Sequence, residues 1–420
     1  MAETAAVVGA GVSGLTAAHI LRRSHDVTLF EAQPRAGGHA HTHDVPRADG
    51  AALPVDTGFM VFNTRNYPQL TRLFQEVGVR TQGSDMSMSL TCERCPIAYL
   101  TGSALRTAPA CPDGFPAARW SRLADEARWF AALARSTLAD PAADATTLGE
   151  LLDAHGHSAV FADHLVLPLV SALWSCGAAT ARDYPARFLF RFLDHHGLLP
   201  GGAAVRWRTV TGGSRAYVRR VLAGLPDVRL GQPVRSVRRV AGGVEVRDAR
   251  DRVLRYDRAV LAVHAGQALQ LLADPTAQEK AVLGAIPYVA NEAVLHTDSS
   301  LLPAEERLRA SWNVRRTAGD RRPDAPVLIS YHLNRLQRLA GPADYVVTLN
   351  PGRRVREERV IERMVYEHPV HTPSSVAARE RLPGLNGPRL AFAGAYQGWA
   401  FHEDGCASGV RAAAALGSEW

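Results

Sequence analysis

The amino-terminal part of the chain alternates short apolar runs with one amphipathic segment. Residues 5–9 read Ala-Ala-Val-Val-Gly, which is long enough for one buried strand of a parallel sheet. Residues 15–23 carry an apolar face at helical spacing, and residues 27–30 form a second apolar run that ends before Glu31. The order strand, helix, strand predicts a βαβ unit at the start of the chain.

The pattern changes farther along the chain. Residues 115–155 and 158–200 have mainly helical periodicity, with breaks at Asp140-Pro141 and at residues 199–202. Three later segments are rich in Val, Leu, Ile, Tyr and Thr and predict strands: residues 286–297, 326–333 and 344–350. These regions do not continue the βαβ alternation, so they predict a second lobe of helices and mixed sheet.

Three glycines follow the first apolar run at the spacing of a dinucleotide-binding turn. Gly9 permits a tight turn, Gly11 lets a pyrophosphate approach the backbone, and Gly14 lets the helix pack against the strand. The free N–H groups at the start of the helix attract the phosphates. The Glu31 carboxylate is expected to accept hydrogen bonds from the ribose hydroxyls and to repel a 2′-phosphate. These residues predict FAD or NAD and argue against NADP.

Composition narrows the class of protein. Hydrophobic residues make up 46% and charged residues 21% of the 420 residues, as in an ordinary soluble protein. The formal net charge is +7, and Lys280 is the single lysine, so nearly all basic residues are arginines. The arginines are scattered and form no basic block interleaved with aromatic residues, which argues against a nucleic-acid partner.

Cysteine usage and the amino terminus bear on the compartment. Five cysteines in a chain of this length do not form a disulfide framework, and the first residues lack the pattern of a secretory signal. No run approaches the roughly 18 apolar residues of a membrane-spanning helix. The sequence therefore predicts a cytoplasmic protein; peripheral contact with the inner face of the membrane, and the oligomeric state, stay open.

Two segments distinguish between FAD and NAD: residues 31–39, Glu-Ala-Gln-Pro-Arg-Ala-Gly-Gly-His, and residues 56–59, Asp-Thr-Gly-Phe. They resemble the FAD-dependent amine oxidase and phytoene desaturase-like superfamily. The resemblance narrows to a bacterial group of predicted FAD/NAD-binding oxidoreductases in five segments: residues 184–199, 207–217, 291–298, 334–337 and 401–405. It implies an α/β fold in which a glutathione-reductase-type Rossmann FAD-binding domain carries an inserted α+β substrate domain, with FAD bound noncovalently.

The resemblance also implies a domain plan and a set of cofactor-binding residues. The FAD-binding domain is expected to comprise residues 1–90, 205–275 and 385–420, and the substrate domain a mostly helical part, 91–204, and a strand-rich part, 276–384. The implied cofactor-binding residues are Gly9, Gly11, Val12, Ser13, Gly14, Glu31, Ala32, Arg35, Gly37, Gly38, His39, Thr57, Gly58, Phe59, Val234, Gly394, Asp404 and Gly405.

The catalytic candidates come from the same resemblance. When residues 286–294 are laid on the strand that carries the flavin-facing lysine of amine oxidases, Asn291 takes the lysine position. His402 and Glu403 lie in the loop expected beside the flavin and are candidates for a general base. The substrate pocket is predicted to include three aromatic residues of that loop: Tyr396, Trp399 and Phe401.

Three other groups of residues can be interpreted either as functional sites or as ordinary structural features. His39, His41 and His43 alternate along a predicted strand, and Cys92-x-x-Cys95 with Cys111 supplies three thiols, but neither set has a complete metal-ligand spacing. We therefore predict no metal. The phenylalanine segment, residues 184–193, is interpreted first as a core helix and second as the lining of an acyl-chain tunnel.

These observations predict an FAD-dependent oxidoreductase that transfers a hydride from a carbon centre to flavin N5. The leading substrate is an apolar acyl or isoprenoid-like chain that undergoes dehydrogenation, and the expected partner is this small-molecule or lipid substrate. The alternatives are a flavin amine oxidase, a flavin-dependent double-bond isomerase and a catalytically silent protein that binds FAD and lipid.

Overall fold

The computed structural model describes residues 2–47, 50–95, 97–101, 107–108, 117–140, 144–199, 205–317 and 328–420. The strands are β1 (Glu3–Val8), β2 (His25–Phe30), β3 (Thr42–Pro46), β4 (Ala52–Asp56), β5 (Phe62–Asn63), β6 (Thr81–Gly83), β7 (Met88–Cys92), β8 (Ala98–Thr101), β9 (Thr107–Ala108), β10 (Trp207–Val210), β11 (Asp227–Arg229), β12 (Val234–Val240), β13 (Gly243–Asp248), β14 (Val253–Tyr256), β15 (Arg258–Leu261), β16 (Tyr288–His296), β17 (Trp312–Arg316), β18 (Leu328–His332), β19 (Val346–Leu349), β20 (Val360–Pro369) and β21 (Leu390–Phe392).

The helices are α1 (Val12–Leu21), α2 (Pro68–Glu76), α3 (Ala117–Ala139), α4 (Leu148–Ala154), α5 (Ala159–Phe161), α6 (Leu167–Trp174), α7 (Ala178–Arg182), α8 (Ala186–His195), α9 (Arg215–Leu222), α10 (Ala265–Leu271), α11 (Ala277–Leu283), α12 (Leu333–Leu336), α13 (Pro373–Arg381) and α14 (His402–Ala415). A π-helical turn, Ala162–Val166, leads directly into α6. Among the described helices, none has the length and apolar character needed to cross a bilayer.

Two sheets organise the fold. The first has five parallel strands in the order β11-β2-β1-β15-β21, and its βαβ start confirms the prediction from the amino-terminal pattern. The second has eight strands in the order β20-β16-β19-β18-β17-β7-β8-β9, with β17 and β7 as its parallel pair. The predicted α/β class, with a Rossmann-type domain and a second domain of mixed sheet and helices, is confirmed; the exact domain boundaries stay predictions.

Helix α1 is buried at every one of its residues because the sheet lies on one side of it and α14 on the other. The two helices approach closely where α14 carries glycines. A Cβ at Gly405 would lie 2.6 Å from Val12 Cγ1, and a Cβ at Gly409 would lie 2.4 Å from the Ser13 carbonyl oxygen. The carboxy-terminal helix is therefore held against the start of α1, beside the glycine-rich turn.

Two buried histidines make folding sensitive to acid. His196 and His296 are 5% and 0% exposed, and burial lowers the pKa of each to about 4. The unfolded chain binds protons at these side chains below a pH of about 6.5, whereas the native state does not until about pH 4. Stability is therefore complete above about pH 6.5 and is lost as the pH falls toward 4.

We expect each of these histidines to remove about 2 kcal/mol of unfolding free energy between pH 7.5 and pH 5. Urea denaturation at the two pH values measures the loss, and His296→Gln should reduce it by about 2 kcal/mol. His155 is exposed, so His155→Gln serves as the matched control for a histidine-to-glutamine substitution. An equal loss in wild type and His296→Gln would show that His296 is not responsible.

Candidate functional site

A cavity of about 760 Å³ begins at the carboxyl ends of β1, β2 and β15 and continues between the two sheets. Its first half is lined by the turn after β1, by the residues after β2 and by Ala262 and Val263 after β15. The crevice beyond the carboxyl ends of parallel strands is where this class of sheet binds nucleotides. Its second half is lined by the segment after β4, by the end of α6 and by residues of β17, β18 and β19, and residues of β20 line the region where the two halves meet.

The three glycines have the separate roles that their spacing predicts. Gly9 has a φ of +103°, a conformation that favours glycine. A Cβ on Gly14 would lie 1.9 Å from the Gly9 carbonyl oxygen, so only glycine fits between helix and strand. A Cβ on Gly11 would meet no atom within 4 Å, and Gly11 lines the cavity. The open space above Gly11 is where a pyrophosphate would approach.

Glu31 stands at the end of β2 with its carboxylate turned to the glycine turn. Oε2 accepts a hydrogen bond of 2.8 Å from the backbone N–H of Ala10, and Oε1 accepts one of 2.9 Å from that of Gln33. Glu31 also lines the cavity. Its hydrogen bonds therefore fix the carboxylate at the position predicted for the ribose.

A second loop closes over the cavity from β4. The Phe59 N–H donates to the His39 carbonyl at 2.7 Å, and a Cβ on Gly58 would lie 2.1 Å from that same oxygen. Thr57, Gly58 and Phe59 all line the cavity together with Gly37, Gly38 and His39. The two turns are thus pressed together, as the resemblance implies for the segments that approach the flavin.

Fifteen of the predicted cofactor-binding residues line the cavity: Gly9, Gly11, Val12, Ser13, Glu31, Ala32, Arg35, Gly37, Gly38, His39, Thr57, Gly58, Phe59, Val234 and Gly394. Three predicted residues do not line it, and each has a packing role. Gly14 and Gly405 allow the close contacts described above. Asp404 caps the start of α14 by accepting a 2.9 Å hydrogen bond from the Phe401 N–H, so it shapes the loop behind the cavity.

The catalytic candidates separate into different environments. Glu403 lies away from the cavity: its two carboxylate oxygens accept hydrogen bonds of 3.0 Å from the N–H groups of Gln69 and Leu70, in the first turn of α2. Burial raises the pKa of Glu403 to about 7. This geometry makes Glu403 a helix cap and does not bring it into contact with a substrate.

Asn291 is also outside the cavity lining. It is 2% exposed, its Nδ2 lies 3.3 Å from His368 Nδ1, and its Oδ1 accepts a 2.8 Å hydrogen bond from Asn350 Nδ2. His368 does line the cavity. Asn291 therefore contacts the cavity through His368. Its position suits the orientation of the His368 imidazole, and the predicted direct contact of Asn291 with the cavity is not formed.

His402 is the catalytic candidate that lines the cavity. Its ring stacks on Phe59 with a centroid distance of 3.8 Å, and Nε2 lies 3.3 Å from the Tyr217 hydroxyl oxygen. Burial lowers the pKa of His402 to about 3. The imidazole is therefore neutral at neutral pH, and it accepts protons only weakly.

The three aromatic residues predicted for the substrate pocket do not all line the cavity. Tyr396 and Phe401 line the cavity, but Trp399 packs outside it against Phe192 and His195. The phenylalanine segment does not line the cavity either, because Phe190 and Phe192 are buried in the core of the helical part. The core interpretation of that segment is the one the structure supports.

Several cavity residues carry no recognisable signal in the sequence. They come from the segment between β4 and β5, from the end of α6 and from strands of the second sheet: Met60, Val61, Ala172, Leu173, Trp174, Trp312, Tyr331, Leu349, Tyr366 and His368. Among these residues, Tyr366 and His368 show the one recognisable pattern: they are two residues apart on β20, so their side chains are predicted to lie on the same face of the sheet.

Imidazoles gather where the two halves of the cavity meet. The His39 ring lies 5.1 Å from the Tyr366 ring and 5.5 Å from the His368 ring, measured between centroids. Burial lowers the pKa of His368 to about 4 and holds that of His39 well below its usual range. Two neutral imidazoles therefore face this region at neutral pH.

The family model of flavin-containing amine oxidoreductases matches residues 12–417. The chain belongs to this family. Its members are flavoenzymes, so the protein is an FAD-dependent oxidoreductase, and the glycine turn, Glu31 and the open space at Gly11 fit that cofactor. In the described part of the chain no cysteine lines the cavity, and noncovalent attachment of the flavin stays a prediction.

Several solved structures share the fold at low sequence identity. Cyclohexylamine oxidase from Brevibacterium oxydans has a TM-score of 0.70 and 16% identity, with 99% of each chain covered. Putrescine oxidase bound to putrescine has a TM-score of 0.68 and 16% identity, covering 99% of this chain and 98% of that one. A fatty acid isomerase from P. acnes has a TM-score of 0.68 and 17% identity, with 97% of each chain covered. No curated protein sequence matches the chain.

Removal of the Glu31 carboxylate should weaken FAD binding. We expect Glu31→Ala to cost about 1.5–3 kcal/mol, or on the order of 10- to 100-fold in the dissociation constant, because the ribose hydroxyls lose a charged acceptor. Titration of the apoprotein with FAD, followed by flavin fluorescence, measures the change. Glu403→Ala is the control, since Glu403 lies outside the cavity; unchanged affinity in Glu31→Ala would remove Glu31 from the ribose site.

Proposed function

We propose that this member of the family oxidises an apolar acyl or isoprenoid-like chain at a carbon centre. One observation carries the proposal: among the described residues, no charged side chain lines the second half of the cavity, which we assign to the substrate and call the substrate half. Its lining residues are Met60, Val61, Ala172, Leu173, Trp174, Ser175, Trp312, Tyr331 and Leu349. Two carboxylates do line the cavity elsewhere: Glu31 lies at the ribose end, and Glu367 is held by His264 at 3.1 Å.

Such a surface favours hydrocarbon over an ammonium group. Burial of one methylene contributes about 0.8 kcal/mol, so eight carbons supply roughly 6 kcal/mol toward holding a chain in place. A substrate cation in the same place would lose its hydration without meeting a carboxylate. The amine oxidases among the related structures are named for amines, and the uncharged lining of the substrate half of this cavity argues against a substrate of that kind here.

One polar atom in the apolar half supports an acyl substrate. Trp312 lines the cavity, and its Nε1 is buried without a hydrogen-bond partner among the described atoms. The Trp312 ring is fixed by an edge contact with Tyr331, with centroids 5.1 Å apart. In the proposal, this N–H donates to the carbonyl or carboxyl oxygen of the acyl chain and so sets its depth in the cavity.

The protein residues bind, orient and exclude water, and bound FAD supplies the hydride acceptor at N5. Tyr366, His39 and His368 flank the junction between the two halves of the cavity. Asn291 orients the His368 ring from behind. We assign these residues the positioning of the reacting carbon.

Redox-neutral isomerisation of a double bond is the second candidate, and the histidines favour it. Net dehydrogenation needs a group that accepts a proton, whereas isomerisation returns the hydride to the substrate. The pKa of His368 is about 4 and that of His402 about 3, so both are weak bases. A fatty acid isomerase is also among the structures that share this fold.

Mass spectrometry of products distinguishes the candidates. The FAD-loaded protein is incubated aerobically with unsaturated and methyl-branched fatty acids and with their thioesters. Loss of two hydrogens from the substrate indicates dehydrogenation, and an unchanged mass with a moved double bond indicates isomerisation. Formation of an aldehyde or ketone from primary amines, with every lipid unchanged, would contradict the proposal.

A further inference from the structure

The Cys92-x-x-Cys95 motif meets a histidine that lies 69 residues farther along the chain. Cys92, Cys95 and His164 place two sulfur atoms and one imidazole nitrogen within 4.8 Å of one another, and all three residues are half-buried. We propose that these three side chains bind a divalent ion of the zinc class. The set lies outside the FAD and substrate cavity.

The distances fit the coordination geometry of such an ion. Zinc–sulfur bonds of about 2.3 Å and zinc–nitrogen bonds of about 2.0 Å in a tetrahedron place neighbouring ligand atoms roughly 3.5–3.8 Å apart. Cys95 Sγ lies 3.2 Å from His164 Nε2, so small side-chain rotations open the space for the ion. Water or an outside ligand fills the fourth position.

The imidazole is already in the orientation that a metal requires. His164 Nδ1 lies 3.2 Å from the Val160 carbonyl oxygen, which can only accept a hydrogen bond, so Nδ1 carries the proton. Nε2 then has its lone pair directed toward the Cys95 sulfur. Donation from the other ring nitrogen to a carbonyl is the usual way in which proteins fix a metal-binding histidine.

Charge is balanced around the three ligands. Binding releases one proton from each thiol, and the two thiolates then neutralise the divalent ion. Arg316 lies close by, with NH1 3.3 Å from His164 Nε2, and NH2 donates to Asp163 Oδ2 at 3.3 Å. The Asp163 carboxylate paired with Arg316 offsets the repulsion between the arginine and the ion. When the ion binds His164 Nε2, it takes the place of the Arg316 contact with that nitrogen.

The location suggests what the ion does. Cys92 is the last residue of β7 in the second sheet, and Cys95 lies in the loop that leads to β8; the Cys92 N–H donates to the Ile97 carbonyl at 3.1 Å. His164 belongs to the π-helical turn that leads into α6, whose last residue, Trp174, lines the cavity. The ion therefore joins the sheet to the helix that forms the substrate wall.

Metal analysis of the full-length, FAD-loaded protein tests the site. After zinc loading and removal of free metal, elemental analysis should give one zinc per chain, and cobalt substitution should add a thiolate-to-cobalt charge-transfer band. Cys92→Ser, Cys95→Ser and His164→Phe should each lose the bound metal and the cobalt band. Cys176→Ser is the matched control, because Cys176 is a buried thiol elsewhere in the helical part, and it should keep both.

A second measurement needs no variant and so does not depend on whether the variants fold. Zinc should protect Cys92 and Cys95 from alkylation, read by peptide mass spectrometry, and a chelator should restore the reaction while the flavin spectrum shows an intact fold. Two results would overturn the proposal: wild-type protein that binds no more zinc or cobalt than Cys92→Ser, or a Cys92–Cys95 disulfide that persists after reduction and zinc loading.

Discussion

Gly11→Ala is expected to leave the protein folded and to deprive it of FAD. The added Cβ meets no protein atom within 4 Å, so the fold tolerates it, but it projects into the space that the pyrophosphate needs. We expect a cost of about 3 kcal/mol in cofactor binding, or on the order of 100-fold in the dissociation constant. FAD titration and thermal unfolding of the apoprotein measure the two effects separately.

Two other glycines give matched controls for this experiment. Gly14→Ala places Cβ 1.9 Å from the Gly9 carbonyl oxygen, so it should destabilise the fold itself by about 3 kcal/mol or more. Gly266 lies in α10 outside the cavity lining, and a Cβ added there would meet no atom within 4 Å, so Gly266→Ala should leave FAD affinity unchanged and should not destabilise the fold. Normal FAD affinity in Gly11→Ala would refute the position assigned to the pyrophosphate.

Leu173→Asp is expected to abolish the preference for apolar chains. Leu173 lines the substrate half of the cavity and is half-buried, so an aspartate there remains hydrated while the cavity holds no substrate. A bound hydrocarbon would strip that hydration, at a cost of about 3 kcal/mol, or on the order of 100-fold in kcat/KM for an acyl substrate. Steady-state kinetics with the best lipid substrate measures the loss.

Leu173→Met keeps the volume and the apolar character, and it should stay within a few-fold of wild type. FAD content should be equal in both variants, because residue 173 lies in the substrate half of the cavity. If Leu173→Asp turns over acyl lipids as fast as Leu173→Met does, the chain does not pass this part of the cavity and the proposed substrate position is wrong.

The cofactor half of the site could be predicted from the sequence because its requirements are local. Gly9, Gly11 and Gly14 act through backbone geometry within one turn, and Glu31 ends the next strand of the same βαβ unit. A short segment of sequence therefore contains these residues, and the backbone geometry that requires them is formed within the same segment. This is why most of the predicted cofactor-binding residues line the cavity.

The catalytic half depends on how side chains pack on and around each element, and sequence spacing alone does not determine this. Asn291 lies on the expected strand, β16, and shares a face of the sheet with Tyr366 and His368 of β20, but it is these two rings that line the cavity. Glu403 follows His402 directly on α14, and adjacent helical positions face different neighbours, so one reaches α2 and the other the cavity.

Long-range contacts account for the remaining differences. Trp174 and Trp312 are far apart in the chain and meet at the cavity only after the helical part packs on the second sheet. His164 likewise approaches Cys95 through that same packing, so no local metal-binding spacing includes it. Cys111, the third thiol grouped with Cys92 and Cys95 on sequence grounds, lies outside the described residues.

Anaerobic reduction of the bound flavin tests the central claim most directly. The FAD-loaded protein is mixed without oxygen with unsaturated or methyl-branched acyl lipids, or with simple primary amines, and the oxidised flavin absorbance is followed. The account predicts that acyl lipids bleach the flavin band and that amines do not. Rapid bleaching by amines, with no bleaching and no double-bond migration in any acyl lipid, would contradict it.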